Sequence, residues 1–251
     1  MIHREDRDAV TILRVEHGKA NAVDVELFDA LRQHLDQLEW SGQRAIVLTG
    51  TGNSFSAGVD LFRVLDGGAD YLRRFLPVLT TTVRRLFSYP RPVVAAVNGH
   101  AIAGGCVLAC ACDARVATSG PVKLGLTELL VGVPFPVAAL EVVRFLVPDH
   151  VVQRMVYSGR LMAPAEALQV GLVDELAEPE RVLEAALERA SQLARIPGPA
   201  FSLTKKQLRA SHLDQMAQAG INFDDEVTRI WCNPDTLATI RGFLESTVGK
   251  K

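Results

Sequence analysis

The stretch that decides the fold covers residues 95–113 and reads Ala-Ala-Val-Asn-Gly-His-Ala-Ile-Ala-Gly-Gly-Cys-Val-Leu-Ala-Cys-Ala-Cys-Asp. A β-branched run, Val93 to Val97, leads into it and predicts a buried strand. The pair Gly104-Gly105 then opens a run of small apolar residues that predicts a buried helix. Such a passage lets backbone N–H groups approach a ligand, and a helix N-terminus suits an oxyanion or a polarised carbonyl. Taken alone, the stretch also fits a tight turn that packs a helix against a sheet.

Composition places the chain among ordinary globular proteins. Its 251 residues are 48% hydrophobic and 22% charged, which is enough to bury a substantial core. The formal net charge is −2, so the overall field predicts neither a nucleic-acid partner nor a membrane surface, although Lys205-Lys206 with Arg209 could form a local basic patch. The charged first eight residues lack an apolar signal core, and no apolar run approaches the about 20 residues of a membrane span. We expect a cytoplasmic protein.

Four cysteines occur, at positions 106, 110, 112 and 232. A zinc site would need a second cysteine pair or a histidine pair at characteristic spacing, which the sequence lacks. We therefore expect no metal site, and we expect the thiols to be small buried groups kept reduced in the cytoplasm.

The beginning of the chain alternates strand and helix. Residues 9–15 and 44–49 are rich in β-branched and apolar residues and predict strands. Between them, Val25 to Glu39 carries apolar residues at helical spacing, and Asp24 is a natural N-cap. Together these segments predict a βαβ unit with a right-handed crossover.

The remainder becomes increasingly helical. A glycine-rich loop over residues 50–61 precedes short helical pieces and a helix over 69–88, and a further strand is expected at 113–118. Thr127 is expected to cap a helical turn at Glu128. The last predicted helices are 200–210, 213–230 and 235–247. We therefore predict an α/β core over residues 1–196 and a helical region over residues 197–251.

Four segments, in this order, resemble the crotonase superfamily of enoyl-CoA hydratases and isomerases. They are Lys19-Ala-Asn-Ala22, Phe55-Ser-Ala-Gly-Val-Asp-Leu61, Ala96-Val-Asn-Gly-His-Ala-Ile-Ala-Gly-Gly105 and Pro164-Ala-Glu-Ala-Leu-Gln-Val-Gly-Leu-Val-Asp174. The resemblance covers essentially the whole chain. It implies a spiral of ββα repeats whose helical C-terminal region mediates a homotrimer or a dimer of trimers.

The resemblance also implies an acyl-CoA thioester as substrate, with coenzyme A as part of that substrate and no separate cofactor. In this family two backbone N–H groups form an oxyanion hole for the thioester carbonyl, and the positions that match here are Ala57 and Gly104. The segments that would line the path of coenzyme A and the substrate contribute Lys19, Ala20, Ala22, Ala57, Gly58, Val59, Asp60, Leu61 and Gly104. For Asp60, a local capping or hydrogen-bonding role is the favoured interpretation.

The carboxylates distinguish between reactions. Hydratases of this family use two glutamates, and the first would stand where this chain has Val107, whereas the second matches Glu128. Since valine cannot accept a proton or bind water, one carboxylate is left, which suffices for moving a proton from C2 to C4. The pattern is therefore similar to that of the Δ3,Δ2-enoyl-CoA isomerases, with Glu128 as the catalytic residue.

Two alternatives stay open at this point: an enoyl-CoA hydratase that relies on Glu128, and an acyl-CoA-binding protein without turnover. Glu141 is a reserve second carboxylate, although a salt bridge with Arg144 at i+3 is the simpler expectation. His100 lies in the glycine-rich turn and could titrate near neutrality, but a structural role is favoured there.

Overall fold

The computed structural model describes residues 1–248, and the following bounds apply to that range. The strands are β1 (Ile2–Arg7), β2 (Val10–Val15), β3 (Ala45–Gly50), β4 (Ser54–Ser56), β5 (Val93–Val97), β6 (His100–Ile102), β7 (Ala114–Thr118), β8 (Leu124–Gly125) and β9 (Glu175–Ala177). The helices are α1 (Val25–Glu39), α2 (Leu61–Phe87), α3 (Gly104–Ala111), α4 (Val137–Arg144), α5 (Asp149–Ser158), α6 (Pro164–Gln169), α7 (Val182–Ala194), α8 (Gly198–Trp231) and α9 (Pro234–Val248). Two 3-10 turns cover Glu128–Val131 and Pro179–Arg181.

The strands form two sheets. The larger has the order β1-β2-β3-β5-β7-β9, and all of its pairs are parallel except β1 with β2. The smaller has the order β4-β6-β8 and is parallel throughout. The chain repeatedly passes from the larger sheet to the smaller and then into a helix, as in β3-β4-α2 and β5-β6-α3. This is the α/β spiral of ββα repeats that the resemblance implied, and it is confirmed.

The predicted βαβ unit is confirmed by β2, α1 and β3, with β2 and β3 parallel. Helix α1 has the predicted bounds, and the Asp24 carboxylate accepts the Leu27 N–H at 2.8 Å as an N-cap. Strand β5 is buried along its whole length because it lies in the middle of a sheet that is covered on both faces.

Strand β1 was not predicted. Its sequence is almost entirely charged and its side chains are mostly exposed, because it is an antiparallel edge strand. Charged residues on an edge strand hinder its pairing with other chains. They also remove the alternation of apolar and polar residues by which a strand is recognised in a sequence. The short strands β4, β6 and β9 were not predicted either, since three residues show no periodicity, and β4 lies within the segment predicted as a glycine-rich loop.

Helix α2 has two pieces, as the sequence indicated. It is interrupted at Gly68, where φ is 54° and ψ is −146°, a backbone conformation that suits glycine. In contrast, α8 is one continuous helix, so the predicted division into 200–210 and 213–230 was wrong, because Ser211 and His212 do not break a helix. Thr127 precedes a 3-10 turn but makes no side-chain cap, so that prediction was also wrong.

The possible basic patch of Lys205, Lys206 and Arg209 does not form on the surface. Lys205 and Arg209 are buried on the inner side of α8, and of these three basic residues only Lys206 is exposed. Within residues 1–248, no helix is long and apolar enough to cross a membrane. Helices α8 and α9 account for the predicted helical region up to residue 248, and residues 249–251 lie outside the described range.

Candidate active site

Two glycine-containing connections meet with their backbones in contact. One joins β4 to α2 and the other joins β6 to α3. A Cβ atom at Gly58 would lie 2.7 Å from the Ile102 carbonyl oxygen and 3.0 Å from the Gly104 nitrogen, and φ at Gly58 is +86°. A Cβ atom at Gly105 would lie 2.2 Å from the Ser56 carbonyl oxygen. Both positions therefore require glycine, and the fold brings the two predicted segments together.

The amides of these two connections differ in their availability. The Ala57 N–H donates to the Ala20 carbonyl oxygen at 3.0 Å, so it is already used within the protein. The N–H groups of Val59 and Gly104 find no acceptor in the part of the chain that the structure describes. The two neighbours of Val59 are both bonded to Val23. The Asp60 N–H donates to the Val23 carbonyl oxygen at 3.0 Å, and the Gly58 carbonyl oxygen accepts the Val23 N–H at 2.7 Å. The free amide in the first segment is thus that of Val59.

Ala103, which precedes Gly104, has an unusual backbone conformation for a residue other than glycine, with φ 51° and ψ −124°. It is held on both sides, because its N–H donates to the Gly125 oxygen at 2.8 Å and its carbonyl accepts the Val107 N–H at 3.0 Å. Strain of this kind persists where the surroundings enforce it, and it is found frequently at functional sites. Here it fixes the turn that presents the Gly104 amide.

Glu128 lies close to the first turn of α3. Strand β8 pairs with β6, which places Gly125 beside Ile102, and the 3-10 turn that starts at Glu128 follows. The carboxylate is 8% exposed, and its Oε2 atom has no hydrogen-bond partner among the described residues. Burial raises the pKa of Glu128 to about 7, although the N–H groups of Glu128 itself and Thr127 oppose this. The hydrogen bond with Cys110 and burial raise the pKa of the Cys106 thiol in the first turn of α3, and the nearby charge of Glu128 adds to this.

Val107 lies one turn after Gly104 on α3 and is buried. Its side chain thus faces the same side of the helix as the Gly104 residue, where a second carboxylate would be needed for holding water. Valine provides no polar atom at this position. Glu128 is consequently the carboxylate that the sequence and the structure both offer at this site.

Glu141 and His100 are used elsewhere. The Glu141 oxygens contact Arg144 and His212, each at 2.8 Å, so the predicted salt bridge with Arg144 is confirmed and the carboxylate also ties α4 to α8. The His100 Nδ1 atom accepts the Lys123 N–H at 3.1 Å and thereby joins the start of β6 to the segment that precedes β8. Both Glu141 oxygens and the His100 Nδ1 atom are thus engaged in structural contacts.

The segment around Lys19 forms a tight loop against the Gly50–Ser54 turn. The buried Asn21 side chain donates to the carbonyl oxygens of Thr51 at 3.1 Å and Ser54 at 2.8 Å. Lys19 and Ala20 are exposed and Ala22 is half-buried, so this loop presents its backbone and the Lys19 side chain to solvent. Its contact with coenzyme A stays a prediction.

Asp60 behaves as an N-cap. Its carboxylate accepts the N–H groups of Phe62 at 3.0 Å and Arg63 at 3.1 Å at the start of α2, so the favoured interpretation of a local capping role is confirmed. Leu61 is the first residue of α2 and packs partly against the core.

A spiral of ββα repeats that holds two free backbone amides near a buried carboxylate defines the crotonase class of enzymes, which act beside a carbonyl group. The family model described as enoyl-CoA hydratase/isomerase matches residues 5–247. The chain belongs to this family of acyl-CoA enzymes.

Both activities occur among its relatives. A putative enoyl-CoA hydratase of Thermus thermophilus is 36% identical over 214 residues, which cover 84% of each chain. The human mitochondrial protein named enoyl-CoA delta isomerase 1 is 30% identical over 80% of this chain and 67% of its own length. The crystal structure of a human mitochondrial Δ3-Δ2-enoyl-CoA isomerase superposes with a TM-score of 0.93 at 26% identity, covering 100% of this chain and 99% of the other.

Proposed function

We propose that this protein moves the double bond of a 3-enoyl-CoA to give the 2-enoyl-CoA, with Glu128 as the one acid and base. The observation that carries the proposal is the pairing of a buried Glu128, whose pKa is raised to about 7, with an apolar Val107 at the position of a second carboxylate. A base with a pKa near the working pH can both take and return a proton efficiently.

In the first step, the Glu128 carboxylate takes a proton from C2 of the 3-enoyl thioester. The electron pair of the broken C–H bond forms a dienolate whose negative charge lies largely on the thioester oxygen. In the second step, the Glu128 carboxylic acid returns the proton to C4, and the double bond comes to rest between C2 and C3. The proton count is unchanged, so the reaction needs no oxidant, reductant or separate cofactor.

We propose the N–H groups of Gly104 and Val59 as the oxyanion donors. Ala57, which the sequence suggested, already donates to Ala20, whereas the Val59 amide is free. A fixed donor aimed at developing negative charge is typically worth about 3–4 kcal/mol of transition-state stabilisation. Backbone donors also explain why small residues occupy these connections.

The similarity to the human isomerase supports this choice. That structure covers the whole chain with a TM-score of 0.93, including the C-terminal helices. In this protein α9 packs against both α2 and the 3-10 turn that carries Glu128, so the helical end of the chain closes the region around the carboxylate.

A hydratase is the second candidate, favoured by the putative hydratase of Thermus thermophilus at 36% identity. Val107 argues against it, because an apolar side chain cannot orient the attacking water. An acyl-CoA-binding protein without turnover would use the two amides but would give Glu128 no function. Buried carboxylates without a partner and with a raised pKa are typical of catalytic sites, so this candidate is the weaker one.

The test is to incubate the purified protein with a 3-enoyl-CoA and, separately, with crotonyl-CoA, and to repeat both with Glu128→Gln. We expect isomerisation of the first substrate, no hydration of the second, and a loss of about 10²–10⁴-fold in kcat for the variant. The exposed Glu180 provides the matched control, and Glu180→Gln should keep full activity. Hydration of crotonyl-CoA that survives in Glu128→Gln would refute the role of Glu128, and tight binding without turnover would favour the binding protein.

We also propose a homotrimer or a dimer of trimers in the cytoplasm. The apolar residues exposed on α8, Leu203, Leu208, Ile221 and Phe223, support association. The free cysteines fit a reducing compartment.

A further inference from the structure

Helix α3 depends on its neighbours for every polar anchor. Its eight residues are all buried and apolar or small, and Ala103 provides no side-chain cap at its N-terminus. Such a helix is about 12 Å long, and its backbone hydrogen bonds connect its C-terminal end to the Gly104 amide at its start. What holds that end therefore bears on the oxyanion donor.

The C-terminal end of α3 is held from α8 and from β7, where the Arg115 guanidinium donates to the Cys112 carbonyl oxygen at 3.1 Å. The Arg209 guanidinium donates to the carbonyl oxygens of Phe87, Ala111 at 3.4 Å and Cys112 at 3.2 Å, where it binds the ends of α2 and α3 together. It lies against two aromatic rings that contact each other edge to face, 4.1 Å from the centroid of Phe87 and 5.1 Å from that of Phe145. A cation at a helix C-terminus also complements the negative end of the helix dipole.

Asp113 extends this anchor to the central sheet. Its carboxylate contacts Arg209 at 3.0 Å and Lys205 at 2.7 Å, and it accepts the Val93 N–H at 2.7 Å at the start of β5. The Lys205 ammonium group also donates to the Arg91 carbonyl oxygen at 3.3 Å. Burial lowers the pKa of Lys205 to about 8, although the charge of Asp113 opposes this.

This cluster explains why Lys205 and Arg209, which could have formed a surface patch, are buried instead. Two buried cations with one shared carboxylate are costly to remove from water, and a hydrophobic pair of similar volume could stabilise the fold equally well. Arg209, with its planar charged group, donates to three carbonyl oxygens at once. These contacts fix the position of the ends of α2 and α3 relative to α8.

We infer that Arg209 and Lys205 are positioning residues, which fix the end of α3 and thereby the Gly104 N–H that donates to the thioester oxygen. The inference rests on the proposed function, because it needs an acyl-CoA carbonyl at that amide. The helical C-terminal region, through α8, thus helps to hold the oxyanion donor in place.

The test compares Arg209→Met, Arg209→Lys and Lys205→Gln with Lys206→Gln, which changes the exposed neighbour. Methionine keeps the packing against the two rings but removes the donors, whereas lysine keeps the charge without the contacts to three carbonyl oxygens. With a 3-enoyl-CoA, we expect Arg209→Met to lower kcat by about 10- to 100-fold with a change in KM below about threefold. Arg209→Lys should recover part of the loss, and Lys206→Gln should match the unaltered protein.

A second readout follows the carbonyl directly. Cinnamoyl-CoA carries no C4 hydrogen to transfer, and its absorption moves to longer wavelength when its carbonyl is polarised. The unaltered protein should produce this red shift, and Arg209→Met should bind with similar Kd but a smaller red shift. An equal red shift and equal kcat in a folded Arg209→Met would overturn the inference; if that variant does not fold, equal values in both Arg209→Lys and Lys205→Gln would do so.

Failure of the proposed function gives a different result. If the unaltered protein binds no acyl-CoA or produces no red shift, there is no oxyanion donor to position, and both proposals fall. If it produces the red shift without turnover, the red shift of the variants still tests the positioning role.

Discussion

Replacing Glu128 with glutamine should remove a pH dependence of stability that the buried carboxylate causes. Burial raises the pKa of Glu128 from 4.5 to about 7 in the folded protein. Folding therefore takes up a proton between these values, and the free energy of unfolding falls as the pH rises through this window. A pKa difference of one corresponds to about 1.4 kcal/mol, so the carboxylate costs about 3 kcal/mol once it is fully ionised.

The assay is urea unfolding of the unaltered protein and Glu128→Gln at pH 5 and pH 8, at one protein concentration because association also contributes to stability. We compare the free energy of unfolding of the variant with that of the unaltered protein. This difference should shift in favour of the variant by about 2.5 kcal/mol from pH 5 to pH 8, which is less than the full about 3 kcal/mol because part of the effect lies below pH 5. Glu180→Gln, at an exposed position, should show no such gain. A difference between Glu128→Gln and the unaltered protein that is the same at both pH values would refute the argument from burial.

Three further predictions concern the same region. The kcat/KM of the unaltered protein should rise with pH and level off above about pH 7, because the base must be ionised; a profile without a change between about pH 5.5 and pH 8.5 would contradict this. Gly58→Ala should lower kcat by at least about 100-fold, since its Cβ would lie 3.0 Å from the Gly104 nitrogen, whereas Gly52→Ala, also at positive φ but with nothing within 4 Å, should cost stability without this loss. Ala103→Gly should raise the free energy of unfolding by about 1 kcal/mol, because glycine accepts φ 51° without strain, and a lower Tm in thermal unfolding would show that the conformation is not strained.

Local patterns were sufficient for the elements that carry a clear period or cap. The helix over Val25–Glu39 and its Asp24 cap were predictable because the apolar spacing and the capping carboxylate are both local. Strand β1 was not predictable, since its charged residues show no hydrophobic alternation and it exists only because β2 offers an edge. The continuity of α8 was not predictable from its sequence, since Ser211 and His212 are weak helix formers and local propensity does not decide whether a helix continues through them.

Some features of the candidate site were likewise predictable from the sequence, and others were not. The order of the four segments identifies the family, and valine at position 107 in place of a carboxylate predicts a single acid and base from the sequence alone. Gly104 was assigned from the sequence as the donor of the second segment, and its amide is free within the described residues. In the first segment, Ala57 and Val59 could not be told apart by their residue types, because any amide can donate.

The sequence by itself thus determined the family and the α/β spiral and predicted Glu128 as the carboxylate of the site, since residue types in a fixed order carry that information. Tertiary structure decided which amides are free, because the Ala20 carbonyl that occupies the Ala57 N–H comes from another loop. It also decided that Lys205 and Arg209 face inward, where they hold the end of α3. A backbone hydrogen bond or a buried ion pair between distant segments depends on three-dimensional proximity, which no local pattern records.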